Sequence, residues 1–451
     1  LYSQQMVNFV MLQHPCPKQV LLIGGLLNGF IEEIEKYKTV ENIDYLELEK
    51  NILKEADANP KVNFIREDAI HYLKKNENKY DLIFVDLPDP SSLNLNRFYT
   101  LDFFKLLKAR TLSDSSVVAI TLSSGVNFMT PEITQLNATI YSTFSAVFEK
   151  VVLIPSIKNI FIGSSSNYIS NDIQELTGRL KFPEPWFNKV IIFEKCNKLR
   201  VNQILNLIRM QKPQLNQITN PRAYLSTIMM WTRILGIRTE GTIAFIQNKK
   251  VLAFLVAFII IMICSIFASK LSGSRLLQTD FNIFAISLVN FVMQLVLLNL
   301  FQMHFGYVYL VIFLFTTVFM SGLTLGFMVG RKTKIPLQLF FIFNLIIVLF
   351  VYIFFETDFY NWFYFVLNFG FAFLEGVILS RLLRSKFEKE KIKSGSSFYF
   401  LDTLGAMAGG ILVGVLMFPI LGLKLSVMFL GILVFVNVLL SLQPKVSSKI
   451  N

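Results

Sequence analysis

The chain has 451 residues, of which 53% are hydrophobic and only 16% are charged, and its formal net charge is +12. Residues 1–249 carry most of the Asp, Glu, Asn and Lys, whereas Phe, Leu, Ile and Val dominate residues 250–443, which excludes a single soluble globular domain. Much of the positive charge lies between apolar segments, where membrane orientation explains it better than nucleic-acid binding. The three cysteines lie far apart without metal-ligand spacing, so we expect no metal site.

The start of the chain predicts a strand, a tight turn and a helix. Val20–Leu22 is a short apolar run, Gly24, Gly25 and Gly29 follow it, and a helical pattern continues through Tyr37. A glycine-rich turn after a strand lets the backbone approach a ligand closely. The first residue is Leu1 and not Met, and the first strand arrives within twenty residues, so we expect either that an amino-terminal portion is missing or that the chain was processed. No signal peptide is visible.

Further strands alternate with helical segments along the first part of the chain. The predicted strands are Ile43–Leu48, Val62–Arg66, Asp81–Val85, Val117–Leu122, Val151–Ile154 and Ile160–Ile162. This alternation predicts an α/β, Rossmann-like fold with a mostly parallel sheet, whose ligands bind at the carboxyl ends of the strands.

Acidic residues follow three of these strands in the order that a nucleoside site requires. Glu47 closes the second strand, where a carboxylate can accept both ribose hydroxyls, and Asp68 follows the third, where it can contact a base. Asp86 ends the fourth strand and is expected to face the cleft. Each acid alone fits a solvated loop, so the prediction depends on their joint order.

Asp86 is also the first of two carboxylates on one short segment, because Asp89 follows three residues later between Pro88 and Pro90. Two carboxylates on a stiffened loop can bind an amine, and one of them can take its proton so that the nitrogen attacks. The alternative is an ordinary Asp-Pro turn at a strand end.

Residues 250–443 contain seven apolar stretches of about the length that crosses a bilayer. They are Val251–Ala268, Phe281–Gln302, Gly306–Gly330, Leu337–Phe355, Trp362–Leu383, Phe398–Phe418 and Leu423–Leu442. Basic residues between them predict cytoplasmic loops. Three spans separate residue 249 from Arg331, which would place the first part of the chain on the opposite side, so its side of the membrane stays open.

Two carboxylates lie inside these stretches. Glu375 and Asp402 either mark a functional path, or Glu375 pairs with a neighbouring helix while Asp402 caps a helix end. The small residues from Gly405 to Gly414 predict close helix packing.

Several segments of the first part together resemble the spermidine synthases, a family of polyamine aminopropyltransferases. The resemblance covers roughly residues 2–165. It is carried by His14–Lys18 with Val20–Gly25 ("HP-x-P-K-x-VL-x-IGGGDGG"), Leu46–Glu49 ("EID"), Glu67–Ala69 ("GDA"), Asp86–Pro90 ("D-x-x-DP") and Tyr2 ("YQE"). In one subfamily such a domain is fused to membrane helices. The segments of this chain that resemble that subfamily are Asn96–Thr100, Phe301–Gln302, Gly306–Tyr309, Phe319–Leu323 and Asp402–Ala406.

This resemblance implies transfer of an aminopropyl group from decarboxylated S-adenosylmethionine to a diamine such as putrescine, on a methyltransferase-type sheet and without a metal. Asp86 would deprotonate the attacking amine, while Asp89 and Tyr2 would hold the acceptor. The donor would be bound by residues of the turn and the strand ends, with Glu47 on the ribose and Asp68 and Ala69 on the adenine. The turn residues are Gly24, Gly25 and Gly29.

The chain departs from the family pattern around both ligands. Leu26 replaces a glycine of the turn, and Leu27 replaces the aspartate that contacts the amine of the donor. Gln4 replaces a glutamate, and the acceptor-site tyrosine after Pro155 is missing, with Ile157 nearby.

We therefore expect a synthase-like domain over residues 1–165, a helical connector over 166–249 and a membrane domain over 250–443. The expected protein is a multi-pass membrane protein of the cell membrane that binds a small amine and no nucleic acid, with a homodimer left open. Two other functions also stay open. One is a methyltransferase-like enzyme that uses S-adenosylmethionine, and the other is a non-catalytic membrane sensor or transport-linked protein.

Overall fold

The computed structural model describes residues 1–25, 29–48, 60–125, 129–181, 183–211, 213–236, 275–305, 309–355, 357, 359–387 and 394–442. Its contacts divide the chain into two compact units. The first comprises Leu1–Thr239 and Phe305–Tyr307, and the second comprises Glu240–His304 and Val308–Asn451.

The first unit is built on a twisted sheet whose seven described strands match the seven predicted from the sequence. They are β1 (Gln19–Gly24), β2 (Asn42–Leu46), β3 (Val62–Ile65), β4 (Leu82–Asp86), β5 (Val117–Ser123), β6 (Lys150–Ile154) and β7 (Lys158–Ser164). The strand order is β3-β2-β1-β4-β5-β7-β6, and β7 is the one described strand that runs opposite to the other six. The predicted mostly parallel Rossmann-like sheet is therefore confirmed.

Successive residues of the central strands point to opposite sides of the sheet. Because these residues are apolar on both sides, both faces of the sheet are covered by helices. Leu21 and Ile83 pack into one buried cluster, whereas Val20 and Leu82 pack into the other. The helices of this unit are Tyr2–Met11, Phe30–Glu35, Ala69–Lys75, Leu93–Asn96, Leu101–Ala109, Pro131–Ser145, Ile173–Arg179, Lys189–Lys195, Lys198–Met210 and Arg222–Ile234, with a 3-10 turn at Arg97–Tyr99.

The helices after residue 165 pack onto the same core as the sheet. Ile204, Ile208 and Ala223 belong to the buried cluster on one of its faces. The buried Asn216 adds polar contacts, since its backbone N–H donates to Thr143 Oγ1 (2.9 Å) and its amide nitrogen donates to the Tyr99 carbonyl (2.9 Å). The compact unit accordingly extends well beyond the strands.

The second unit consists of apolar helices in its described parts. They are Arg275–Phe305, Tyr309–Gly330, Leu337–Ile353, Asn361–Phe387, Ser394–Gly409, Phe418–Leu421 and Leu423–Leu442, with a π-helical segment at Gly410–Met417. Within the described residues, four stretches are long and apolar enough to cross a membrane: Thr279–Phe305, Val311–Gly330, Asn361–Phe387 and Leu423–Ser441.

These four stretches coincide with four of the seven predicted spans. The predicted span Leu337–Phe355 is present as the shorter apolar helix Leu337–Ile353. The predicted span Phe398–Phe418 is divided by the π-helical segment, and Val251–Ala268 lies outside the described residues.

Glycines let two helix pairs of this unit approach closely. A Cβ at Gly326 would overlap the Phe373 carbonyl oxygen, and a Cβ at Gly376 would overlap the Leu323 carbonyl oxygen. Elsewhere, a Cβ at Gly405 would overlap the carbonyl oxygen of Phe284. Backbone therefore packs directly against backbone, as small residues allow between apolar helices.

The two carboxylates of the predicted spans bond to neighbouring helices. Glu375 is fully buried and accepts a hydrogen bond from the Asn344 amide (2.5 Å). Asp402 accepts one from the Ser287 hydroxyl (2.5 Å). The expectation that Asp402 caps a helix end is wrong, because it lies inside the helix Ser394–Gly409 and its carboxylate is used by another helix.

Substituting Gly326→Ala should destabilise the second unit, because the added methyl group would overlap the Phe373 carbonyl. Overpacking of this kind costs about 1–3 kcal/mol, so the thermal unfolding midpoint of the full chain in detergent should fall. The matched control is Gly370→Ala on the partner helix, where a Cβ would meet nothing within 4 Å. An equal midpoint for the two variants would contradict the close packing.

Candidate active site

The glycine-rich turn lies where the order of the strands reverses direction. From β1 the chain proceeds outward through β2 and β3 and then returns to β4 on the other side, so the edge between β1 and β4 is a topological switch point. Ligands of open α/β sheets bind at such points. Gly24 and Asp86 are paired there, one at the end of each strand.

Gly24 occupies its position for two physical reasons. Its φ of +75° lies in the left-handed region, and a Cβ there would approach the Asp86 carbonyl oxygen to 2.5 Å. Gly25 and Gly29 also have positive φ, and Gly29 starts the helix Phe30–Glu35. Gly24 thus lies beside Asp86, and Gly25 and Gly29 share its positive φ, whereas the substituted Leu26 and Leu27 lie outside the described residues.

Side chains from three separate segments donate to one carboxylate oxygen of Asp86. Oδ1 accepts from the Tyr2 hydroxyl (2.6 Å), the Thr121 hydroxyl (2.7 Å) and the Lys158 ammonium (3.1 Å). Burial, and then the neighbouring charge of Asp86, raise the pKa of Tyr2 well above its ordinary value. The phenol therefore stays protonated and acts as a donor.

The loop that carries Asp89 is held against the same strand ends. Asp89 Oδ1 accepts from the Ser123 backbone N–H at the end of β5 (3.0 Å). The Tyr99 hydroxyl donates to the carbonyls of Leu87 (3.1 Å) and Pro88 (3.0 Å). Burial, followed by the charges of Asp89 and Asp86, raises the pKa of Tyr99, so this hydroxyl also remains a donor. Asp86 and Asp89 are thus brought to one edge of the sheet.

The remaining predicted donor residues lie at the ends of β2 and β3. Glu47 is half-buried and accepts from the Leu48 backbone N–H (2.7 Å) and the Tyr45 hydroxyl (3.3 Å). Asp68 is buried and begins the helix Ala69–Lys75, where its Oδ1 accepts from the N–H groups of Ile70 (3.1 Å) and His71 (3.2 Å).

The guanidinium of Arg97 occupies the same carboxylate of Asp68. Arg97 Nη1 donates to Asp68 Oδ1 (3.0 Å) and Nη2 donates to Oδ2. The side chains are 1% and 2% exposed, so the pair is a buried, bidentate ion pair. Asp68, which the sequence predicts to contact the base, therefore pairs with Arg97 and caps the helix Ala69–Lys75.

The first part of the chain is similar to a known family. Residues 1–175 match the family model described as the spermine/spermidine synthase domain. Residues 1–175 are thus similar to this domain, and we refer to them by this similarity as the synthase domain.

Curated relatives of the synthase domain are polyamine aminopropyltransferases. The protein of Leptospira interrogans is 33% identical in a match that covers 27% of this chain and 27% of the relative. The protein of Methanocaldococcus jannaschii is 38% identical over 20% of this chain and 34% of the relative. The protein of Oceanobacillus iheyensis is 28% identical over 40% and 38%. The chain thus spans about a quarter to two-fifths of the length of these relatives.

Two solved structures are also similar to the chain. A spermidine synthase in complex with the transition state analogue AdoDATO has a TM-score of 0.38 and 21% identity, and covers 46% of this chain and 75% of that one. Human methyltransferase-like protein 13 in complex with SAH has a TM-score of 0.34 and 13% identity, and covers 44% and 92%.

Sequence reasoning missed three residues of the synthase domain that contact the predicted site. Thr121 and Lys158 donate to Asp86, and Arg97 pairs with Asp68. Lys158 follows the segment after Pro155 in which the family's tyrosine is missing, and Arg97 lies in the segment Asn96–Thr100 that resembles the membrane-fused subfamily, so each had a signal in the sequence. Among the residues that the structure describes, no group of three or more His, Cys, Asp and Glu is placed to hold a metal ion.

Substituting Arg97→Met should strongly destabilise the synthase domain, because it leaves the buried Asp68 carboxylate without its counter-charge. Breaking one side of a buried ion pair costs about 3–5 kcal/mol. Hydrogen exchange of the full chain should show this as faster exchange of the helix Ala69–Lys75.

The double variant Asp68→Asn with Arg97→Met should recover much of that loss, since asparagine is neutral and still caps the helix. Arg66→Met serves as the matched control, because Arg66 is exposed and its guanidinium bonds to the Leu48 carbonyl at 3.3 Å. Equal exchange in Arg66→Met and Arg97→Met would show that the ion pair does not stabilise this helix.

Proposed function

We propose that the synthase domain transfers an aminopropyl group from decarboxylated S-adenosylmethionine to a small amine, with putrescine as the reference acceptor. One observation carries the proposal: a buried aspartate, Asp86, ends β4 at the switch point, bonded to Tyr2, with Asp89 on the same clamped loop. Two carboxylates and a phenol at one strand end suit the binding and deprotonation of an amine.

Donor binding is assigned to the turn and the ends of β2 and β3. Glu47 is proposed to accept the ribose hydroxyls, and the turn of Gly24, Gly25 and Gly29 to bring backbone close to the nucleoside. Each carboxylate oxygen has about two acceptor positions; Asp68 Oδ1 already accepts from three N–H groups, and Oδ2 accepts from Arg97 Nη2. We therefore propose that Asp68 positions the start of the helix, and that the adenine meets the backbone at Asp68 and Ala69.

The reaction follows from these positions. The acceptor enters as an ammonium and gives one proton to the Asp86 carboxylate, which frees the nitrogen lone pair. That lone pair attacks the aminopropyl methylene carbon bonded to the sulfonium sulfur of the donor, the bond between that carbon and sulfur breaks, and its electrons neutralise the sulfur. The products are methylthioadenosine, an amine extended by an aminopropyl group with a positive charge at its new secondary nitrogen, and the proton, which passes from Asp86 to solvent.

Substituting Asp86→Asn should lower kcat/KM by about 10²–10⁴, because removal of a positioned general base costs about that factor. The measurement is methylthioadenosine release by the full chain in detergent, with decarboxylated S-adenosylmethionine and a panel of amines. Asp102→Asn is the matched control, since Asp102 is exposed on the helix Leu101–Ala109.

Absence of methylthioadenosine with every amine would sink this proposal. Calorimetry separates the methyl-transfer alternative, because an enzyme of that kind should bind S-adenosylmethionine more tightly than its decarboxylated form.

We further propose that the second unit anchors the protein in a membrane. The support is the four long apolar stretches of the described residues, each near the roughly twenty residues that span a bilayer. Arg331 and Lys332 follow one of these stretches directly, as charged residues do at membrane surfaces.

The full chain should stay in the membrane pellet after alkaline carbonate washing and leave it only in detergent, because buried apolar helices are not released by changes in charge. Release by carbonate alone would show peripheral attachment. The measurement reports insertion whichever side of the membrane the synthase domain faces.

A further inference from the structure

Lys158 places a positive charge inside the proposed acceptor site. Its ammonium lies 3.1 Å from Asp86 Oδ1 and 5.1 Å from the centre of the Tyr2 ring. These are an anion and an aromatic face, the two kinds of group that bind an alkylammonium. The side chain of Lys158 is 30% exposed while that of Asp86 is 1% exposed, so the lysine reaches a buried carboxylate from the open side of the site.

The sheet itself holds Lys158 in this place. Lys158 is the first residue of β7 and pairs with Ser123 of the antiparallel strand β5. The N–H of the same Ser123 donates to Asp89. The backbone of Lys158 therefore lies beside the residue that binds Asp89, and its side chain reaches Asp86. Its location therefore follows from strand register.

The charge of the site decides which acceptor it suits. Asp86 and Asp89 alone carry two negative charges, which match a diamine with two ammonium groups. With Lys158 the sum of these three charges is one negative charge, and a second ammonium at this site would be repelled by the Lys158 ammonium, which lies 3.1 Å from Asp86 Oδ1.

We propose that Lys158 is a specificity-determining residue that selects amines with a single positive charge over diamines. This inference rests on the proposed function, since it concerns the acceptor of the same reaction. A monoamine can share Asp86 with Lys158, give up its proton and attack the donor by the step described above. A diamine must in addition bring its second ammonium close to Lys158.

The test compares butylamine with putrescine, which have equal carbon chains and differ in one ammonium group. Calorimetry on the full chain in detergent with methylthioadenosine present measures the ratio of their affinities, and turnover is followed in parallel. Lys158→Met should move that ratio toward putrescine by about tenfold or more, equal to about 1.4 kcal/mol, and Lys158→Gln gives a second neutral variant.

Two controls separate charge from structure. Lys158→Arg retains the charge and should keep the ratio of the unchanged protein. Lys150→Met removes a lysine of the same sheet that bonds to the Asn167 carbonyl instead (2.9 Å), and it should also keep the ratio. A lysine that only stabilised the fold would weaken both amines equally and leave their ratio unchanged.

The two proposals fail in different ways. A ratio that moves by less than about threefold in both neutral variants overturns the role of Lys158, whatever the turnover. A ratio that moves as expected without any methylthioadenosine release supports the role of Lys158 in amine binding and contradicts aminopropyl transfer.

Discussion

The Asp86 carboxylate is the interaction on which the synthase domain depends. Its Oδ1 accepts from Tyr2, Thr121 and Lys158, which lie 84, 35 and 72 residues away along the chain. A carboxylate that is almost fully removed from water costs several kcal/mol unless donors compensate it. The first helix, β5 and β7 therefore meet at the end of β4, and the contacts that stabilise the charge also fix the side chains around it.

The buried carboxylate of Asp68 has different partners from that of Asp86. Asp68 and Asp86 both follow strands of the same sheet, yet Asp68 is matched by the Arg97 guanidinium and by the start of a helix, whereas Asp86 faces hydroxyl groups and an ammonium. The first arrangement is a bidentate ion pair in which Asp68 Oδ1 also accepts from two backbone N–H groups. The second contains Lys158, which is part-exposed and can yield to another amine.

Much of the fold was predictable because it follows from local patterns. Short apolar runs such as Val20–Leu22 and Val117–Leu122 predict strands of a sheet that is covered on both faces. The apolar helices of the second unit are predicted from their length and composition alone. The reversed direction of β7 was not predicted, since a short apolar run carries no sign of its direction. The bond between Asp402 and Ser287 could not be predicted either, because the two residues lie 115 positions apart in the chain.

The sequence by itself determined the order of the strands along the chain, the glycine turn, the acids at the strand ends and the apolar lengths of the second unit. Each of these depends on residues that are neighbours in the chain. Only the tertiary structure decided which carboxylates are paired and with what. Arg97 reaches Asp68 across 29 residues and Lys158 reaches Asp86 across 72, and strand order and register, which arise from packing of the whole sheet, bring them together.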